Sequence, residues 1–262
     1  MRRRLAGQAF ANGVLIKSDK SWALATDGGG LKFGSVSSWF DDHPFYHPFL
    51  RLPLIRAVAG FFESVIFSWR IQRGLGLNRR DLIRPLLIYL ALTVPVGLWL
   101  DKPVGFQVFS FVAAFVVFSR ALPRSLWAYH GGEHKAVNAY EQGVDLDDLE
   151  AVAACSRVHN RCGTNLVTFL AAASMVRLPS VAPAAMAGTI GYTLAVIAVS
   201  IELFRLVVRA PHLFLSRLAL APGRWLQRRV TTREPDRAQL ALAVTAVRAV
   251  LVLDRIKAGV DS

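Results

Sequence analysis

"VAPAAMAGTIGYTLAVIAVSIELF", residues 181–204, carries a single charge, at Glu202. As a helix it would extend roughly 36 Å at 1.5 Å per residue, enough to cross a hydrocarbon core of about 30 Å with some tilt. That reading decides the fold class, because further apolar runs accompany it. "LIRPLLIYLALTVPVGLWL" (82–100) and "VGFQVFSFVAAFVVF" (104–118) form an expected hairpin about the turn Asp101-Lys102-Pro103. "NLVTFLAAASMV" (165–176) is short for a crossing, and a buried or re-entrant helix is its alternative. "LRLPLIRAVAGFFESVIFSWRI" (50–71) carries Arg51, Arg56, Glu63 and Arg70, which suits a helix lying in the interface better than a span. The sequence thus predicts a mainly α, polytopic helical membrane protein with about four membrane-embedded helices.

Charge sets the expected orientation. Lys and Arg number 31 against 18 Asp and Glu, for a net charge of +13, and 53% of residues are hydrophobic. Such a surplus favours an anionic partner, and the apolar runs select the lipid bilayer over nucleic acid. The turns at 101–103 and 177–180 hold only Lys102 and Arg177, while the other connectors hold nearly all the arginines. The positive-inside rule then places both termini and the 119–163 connector in the cytoplasm. "MRRRLAGQAF" lacks an apolar core, so no cleavable signal peptide is expected there. Cys155 and Cys162 fall on the reducing side, where a structural disulfide is not expected.

The chain divides into six expected parts. Residues 1–48 are a β-rich cytosolic element, in which "GVLIK" (13–17), "SWALAT" (21–26) and "LKFGSVS" (31–37) make a small antiparallel sheet at the membrane surface. Residues 49–72 are the interfacial helix, 82–118 a membrane hairpin, and 119–163 a cytosolic connector folded as a helical hairpin. That connector has one helix from about Leu126 to Glu141 and another from an acidic cap near Asp145 to about Val158. Residues 164–206 form a second membrane hairpin, and 207–262 a basic tail. There Thr231 and Glu234 have capping-box spacing, and Leu240, Val244, Val247 and Leu251 mark an amphipathic helix over 235–257.

Chemistry concentrates in "YHGGEHKAVNAYE" (129–141). His130 and His134 are spaced i, i+4 with Glu133 between them, so a helix presents all three on one side. H-x-x-E-H is an arrangement that pairs two imidazole ligands with a carboxylate acting on water in one class of zinc peptidases. Gly131 and Gly132 cost roughly 1.5–2 kcal/mol in a helix and predict a kink or partial unwinding. A catalytic divalent ion, Zn²⁺ among them, needs a third protein ligand. His159 and Cys162 in "HNRCGT" (159–164) are the leading choices, and Glu141 and Glu202 are further ones. The competing account makes Glu202 a partner of Arg205 or of an arginine on another helix, with the rest a hydrogen-bonded structural network.

"GQAFANGV" (7–14), "YHGGEHKAVNAYE", "SRVHNRCGT" (156–164), "IELFR" (201–205) and "LQRRVTTREPDRAQ" (226–239) together resemble the YqhQ-like family of bacterial membrane proteins, domain of unknown function 1385. The resemblance implies a metal-dependent enzyme. It carries over His130, Glu133, His134, Glu141, His159, Arg161, Cys162, Glu202, Arg233, Glu234 and Asp236. Within that set, catalytic roles fall to Glu133, Glu141 and Arg161, and metal ligation to His130, His134, His159, Cys162 and Glu202. Asn12 and Arg237 stand where the family usually has acids, which would alter an activity that used them. The expected function is a membrane-embedded, metal-dependent hydrolase acting at the cytosolic face on a small-molecule, peptide or lipid substrate. The alternatives are a non-catalytic membrane scaffold or a metal-sensing module, and after these a metal transporter. The number of subunits is not legible.

Overall fold

The computed structural model describes residues 4–36, 47–74, 103–174 and 186–260. The chain is mainly helical with an N-terminal antiparallel sheet, and it divides into two compact units. The strands are β1 (Ala6–Phe10), β2 (Gly13–Lys17), β3 (Ser21–Thr26) and β4 (Leu31–Ser35). The helices are α1 (Pro53–Gly74), α2 (Val104–Ala121), α3 (Arg124–Gln142), α4 (Leu149–Ala153), α5 (Gly163–Ser174), α6 (Met186–Arg209), α7 (Phe214–Leu226) and α8 (Arg237–Val260).

The first unit comprises residues 1–37, 121–164 and 224–262. Its sheet is a meander in the order β1-β2-β3-β4. β1 is a strand beyond the three expected, paired from Ala6↔Lys17 to Phe10↔Gly13. Period-2 alternation sends Val14 and Ile16 of β2 and Ala23 and Ala25 of β3 into one core. Two helices cover that face: α3 lies on β1 and β2, α8 lies on β2 and β3, and the two pack on each other. The stripe expected on the C-terminal helix is seen, with Leu240, Val244 and Val247 in the core and Leu251 at its margin.

Two local expectations are corrected. The second connector helix spans only Leu149–Ala153, and its cap is Asp148, whose carboxylate accepts from the Ala151 N–H at 3.0 Å. Leu146, Leu149 and Val152 still reach the core, so burial holds this stretch without a long helix. The capping box of α8 is formed by Asp236 and Gln239, each accepting from the other's backbone N–H at 2.8 and 3.0 Å. Thr231 instead ends a π-helical turn over Gln227–Thr231, and Glu234 pairs with Lys135 and Arg157.

The second unit comprises residues 38–120 and 165–223. α1 packs along α6 through Ala57, Ile197, Ala198 and Ile201, with Leu166 and Leu170 of α5 against them. Within α6, Gly191–Arg209 is 19 residues long and apolar enough, at mean hydropathy 1.8, to cross a membrane. It is the one such helix among the described residues. The first apolar segment, 82–100, lies outside those residues. The second forms α2, and the third is described as far as Ser174. α1 leaves Leu54, Ile55, Phe62, Val65, Ile66 and Trp69 exposed.

Candidate metal centre

Helix α3 presents His130, Glu133 and His134 from one side, and it is continuous through Gly131 and Gly132. The partial unwinding expected from the paired glycines is therefore absent, and packing supplies their reason. A Cβ on Gly131 would stand 2.0 Å from the Arg233 carbonyl oxygen. Only glycine admits the 232–236 segment this close, where the Arg233 N–H donates to the Trp127 carbonyl at 2.8 Å.

Side chains of α3 also hold the loop that follows α4. The Lys135 ammonium donates to the Ala153 carbonyl. The Asn138 amide donates to the carbonyls of Ser156 and Val158 at 2.7 and 3.2 Å. At the far end of the loop, the Gln227 side-chain oxygen accepts the His159 N–H at 2.8 Å. The loop so fixed delivers Cys162 to the helix, with Sγ 3.3 Å from His130 Nε2. One donor atom each from His130, His134 and Cys162 lies within 4.8 Å of the others. The Thr164 N–H approaches the sulfur at 3.4 Å, and the Thr164 hydroxyl lies 3.4 Å from it and 3.1 Å from that of Thr231.

Both histidines are oriented from behind. His130 Nδ1 meets the Thr231 carbonyl at 2.6 Å, and His134 Nδ1 meets the Arg157 carbonyl at 2.6 Å. Each ring donates from Nδ1, which leaves Nε2 with its lone pair facing the cluster. Burial, reinforced by the neighbouring His130, pushes the pKa of His134 down, so its ring is neutral and fit to ligate. Two imidazoles and one sulfur suit zinc or a comparably soft divalent ion, with a fourth position open. Tetrahedral ligands about such an ion stand roughly 3.4–3.7 Å apart. The donor set fits after a contraction of about 1 Å at its widest pair.

A cavity of about 370 Å³ opens onto the cluster, lined by His130, Glu133, His134, His159, Arg161 and Cys162 together with residues of β1 and β2. Glu133 is buried against Gly7 of β1, where a Cβ would fall 2.2 Å from the Glu133 carboxylate. Burial pushes the Glu133 carboxyl up, while His130 and His159 pull it partly back.

The remaining expected residues have other partners. His159 stands beside His134, with ring centroids 5.8 Å apart, but its Nε2 lies 3.3 Å from the Glu141 carboxylate. Glu141 is also ion-paired to Arg161. Burial alone would raise the Glu141 pKa; hydrogen bonds from His159 and Arg161 hold it down at about 2. Glu202 belongs to the second unit and is not a member of the cluster. Its two oxygens are taken by Arg56, at 2.6 and 3.0 Å, and by Arg205, at 2.9 Å. Asn12 occupies the β1–β2 turn, and Arg237 opens α8 beside Glu150, so neither departure from the family pattern lines the cavity. Sequence reasoning missed Gly7, Thr164 and the carbonyls of Arg157 and Thr231. Of these only Gly7 left a signal, a glycine inside a strand, which marks close approach of another group.

The first unit is thus a sheet-and-helix scaffold with a preformed His₂Cys cluster at its cavity. The chain belongs to the family described as protein of unknown function (DUF1385), whose profile matches residues 99–253 and so includes all three cluster residues. The uncharacterised protein YqhQ of Bacillus subtilis (strain 168) is 29% identical over 139 residues, covering 52% of this chain and 43% of that one. The chain therefore aligns with less than half the length of that relative. No solved structure matches.

Proposed function

We propose that this protein is a metal-dependent hydrolase of the bacterial cytoplasmic membrane, with its site facing the cytoplasm. The observation that carries the reading is the convergence of His130, His134 and Cys162 beside a buried Glu133, with both imidazoles aimed by backbone carbonyls. A divalent ion such as Zn²⁺, when bound, would supply Lewis-acid polarisation and bring the pKa of water near 7. His130, His134 and Cys162 would hold it. Glu133 would take the proton from the attacking water, a task suited by a carboxyl that burial makes more basic than an ordinary carboxylate. His159, held by Glu141, bounds the cavity next to Glu133 and orients substrate or water there. Glu141 and Arg161 are positioning residues, because their charges are spent on each other and on His159.

The membrane part draws on the Gly191–Arg209 helix and on the one-sided distribution of arginines, which favours a multi-pass chain with cytoplasmic termini. The substrate is a small molecule, peptide or lipid that reaches the membrane face. A non-catalytic scaffold draws instead on the ion pairs that tie Lys135 and Arg157 to Glu234. Mutation separates the two. For the enzyme, His134→Ala purified without chelator loses its ion and its turnover of a panel of ester, amide and phosphoester probes, and Glu133→Gln keeps the ion and loses turnover. A metal-free wild type, with both variants only less stable, refutes the hydrolase.

A further inference from the structure

An open groove of about 420 Å³ in the second unit is lined by apolar side chains, among them Phe49, Leu50, Leu54, Leu194, Ala195 and Ala198. Leu54 also borders a second cavity of about 320 Å³, which Glu202, Arg205, Leu206 and Arg209 line. Those four are spaced i, i+3, i+4 and i+7, so α6 presents them on one face. The groove and the cavity therefore follow one another along α6, apolar first and charged after.

The charged end is cationic. Arg56, Arg205 and Arg209 bring three positive charges against the single negative charge of Glu202, a net of +2. Glu202 is shared between Arg56 and Arg205, and Arg209 is exposed beyond them. From Leu194 to Arg209 the helix rises about 22 Å. One leaflet of a bilayer, headgroups included, is about 20–22 Å thick. The length and the order of polarity both match a single phospholipid standing in one leaflet. Arginine also marks the cytoplasmic side, where the anionic lipids lie.

We infer that this face of the second unit holds an anionic glycerophospholipid, its acyl chain in the groove between α1 and α6 and its phosphate against Arg205 and Arg209. The inference rests on the membrane part of the proposal above and is independent of the metal centre. The full chain is reconstituted in phosphatidylcholine nanodiscs with and without phosphatidylglycerol, and lipid retained after detergent extraction is read by native mass spectrometry. Wild type is expected to retain phosphatidylglycerol over phosphatidylcholine. Arg209→Gln should weaken that retention about fivefold, the effect of one arginine at an anionic surface. Ala195→Trp, which fills the groove from an exposed position, should abolish it, and Arg217→Gln on α7 should leave it unchanged. Equal retention of both lipids by an inserted wild type overturns the lipid site alone. A loss as large in Arg217→Gln as in Arg209→Gln also overturns it, by showing a general surface-charge effect. A chain that does not insert at all overturns the membrane reading with it.

Discussion

Glu133 and Glu141 lie two turns apart on α3, yet their surroundings drive their acidities in opposite directions. Glu133 is enclosed, and burial raises it; Glu141 accepts from His159 and Arg161 and is held at about 2. Two carboxylates on one helix thereby differ in acidity, and the proposed hydrolase would use them differently, Glu133 as proton acceptor and Glu141 as fixed anion. The sign of the Glu141 shift gives a prediction. Its folded pKa lies below the ordinary value of about 4.3, so its contribution to stability is present above that pH and is lost as pH falls toward 2. Glu141→Gln should be less stable than wild type at pH 7, by no more than about 1 kcal/mol because solvent screens the pair. Thermal unfolding in chelator, where ion loss plays no part, should show that gap closing between about pH 4 and pH 2. A gap that is constant over the range would mean that Glu141 is not held as an anion by its partners.

Among the elements, α3 bears most of the architecture. One side displays the histidines, another packs on β1 and β2, and a third admits the 232–236 segment through Gly131. Gly131 and Gly132 look alike in sequence and should behave oppositely. Gly131→Ala would drive a methyl into the Arg233 backbone and should destabilise by about 1–3 kcal/mol. The nearest atom to a Cβ on Gly132 is the Gln239 carbonyl oxygen at 3.4 Å, so Gly132→Ala should be neutral or gain up to about 1 kcal/mol from helix propensity. Equal shifts in melting temperature would contradict the packing account. The local signals were legible: the apolar runs of β2 and β3 bounded by turn residues, the apolar stripe on α8, and the i, i+4 histidines. What depends on distant partners was not. Two capping-box spacings lie in "TTREPDRAQ", Thr231 with Glu234 and Asp236 with Gln239, and the pairing of Glu234 with Lys135 and Arg157 leaves the cap of α8 to the second. Nothing local to "HNRCGT" ranks Cys162 above His159, since that choice is made by Lys135, Asn138 and Gln227 holding the preceding loop. Glu202 was readable both as a ligand and as an ion pair, and two arginines settle it as the pair.

At the level of the whole molecule, the candidate metal centre depends on three separated stretches of chain. Residues 4–19 supply one wall of the cavity and Gly7, 121–164 supply the three donor atoms, and 224–260 supply the Thr231 carbonyl that orients His130 across 101 positions of sequence. Such a site forms only when all three have docked, so its occupancy reports on the fold of the intact first unit. The central claim is that His130, His134 and Cys162 bind one ion. X-ray absorption at the metal edge of the intact protein, purified without chelator, tests it most directly. The account predicts one equivalent of a divalent ion with two imidazole nitrogens near 2.0–2.1 Å and one sulfur near 2.3 Å, the sulfur being lost in Cys162→Ala. Protein without metal, or an ion in a shell of oxygen and nitrogen alone that Cys162→Ala leaves unchanged, would contradict it.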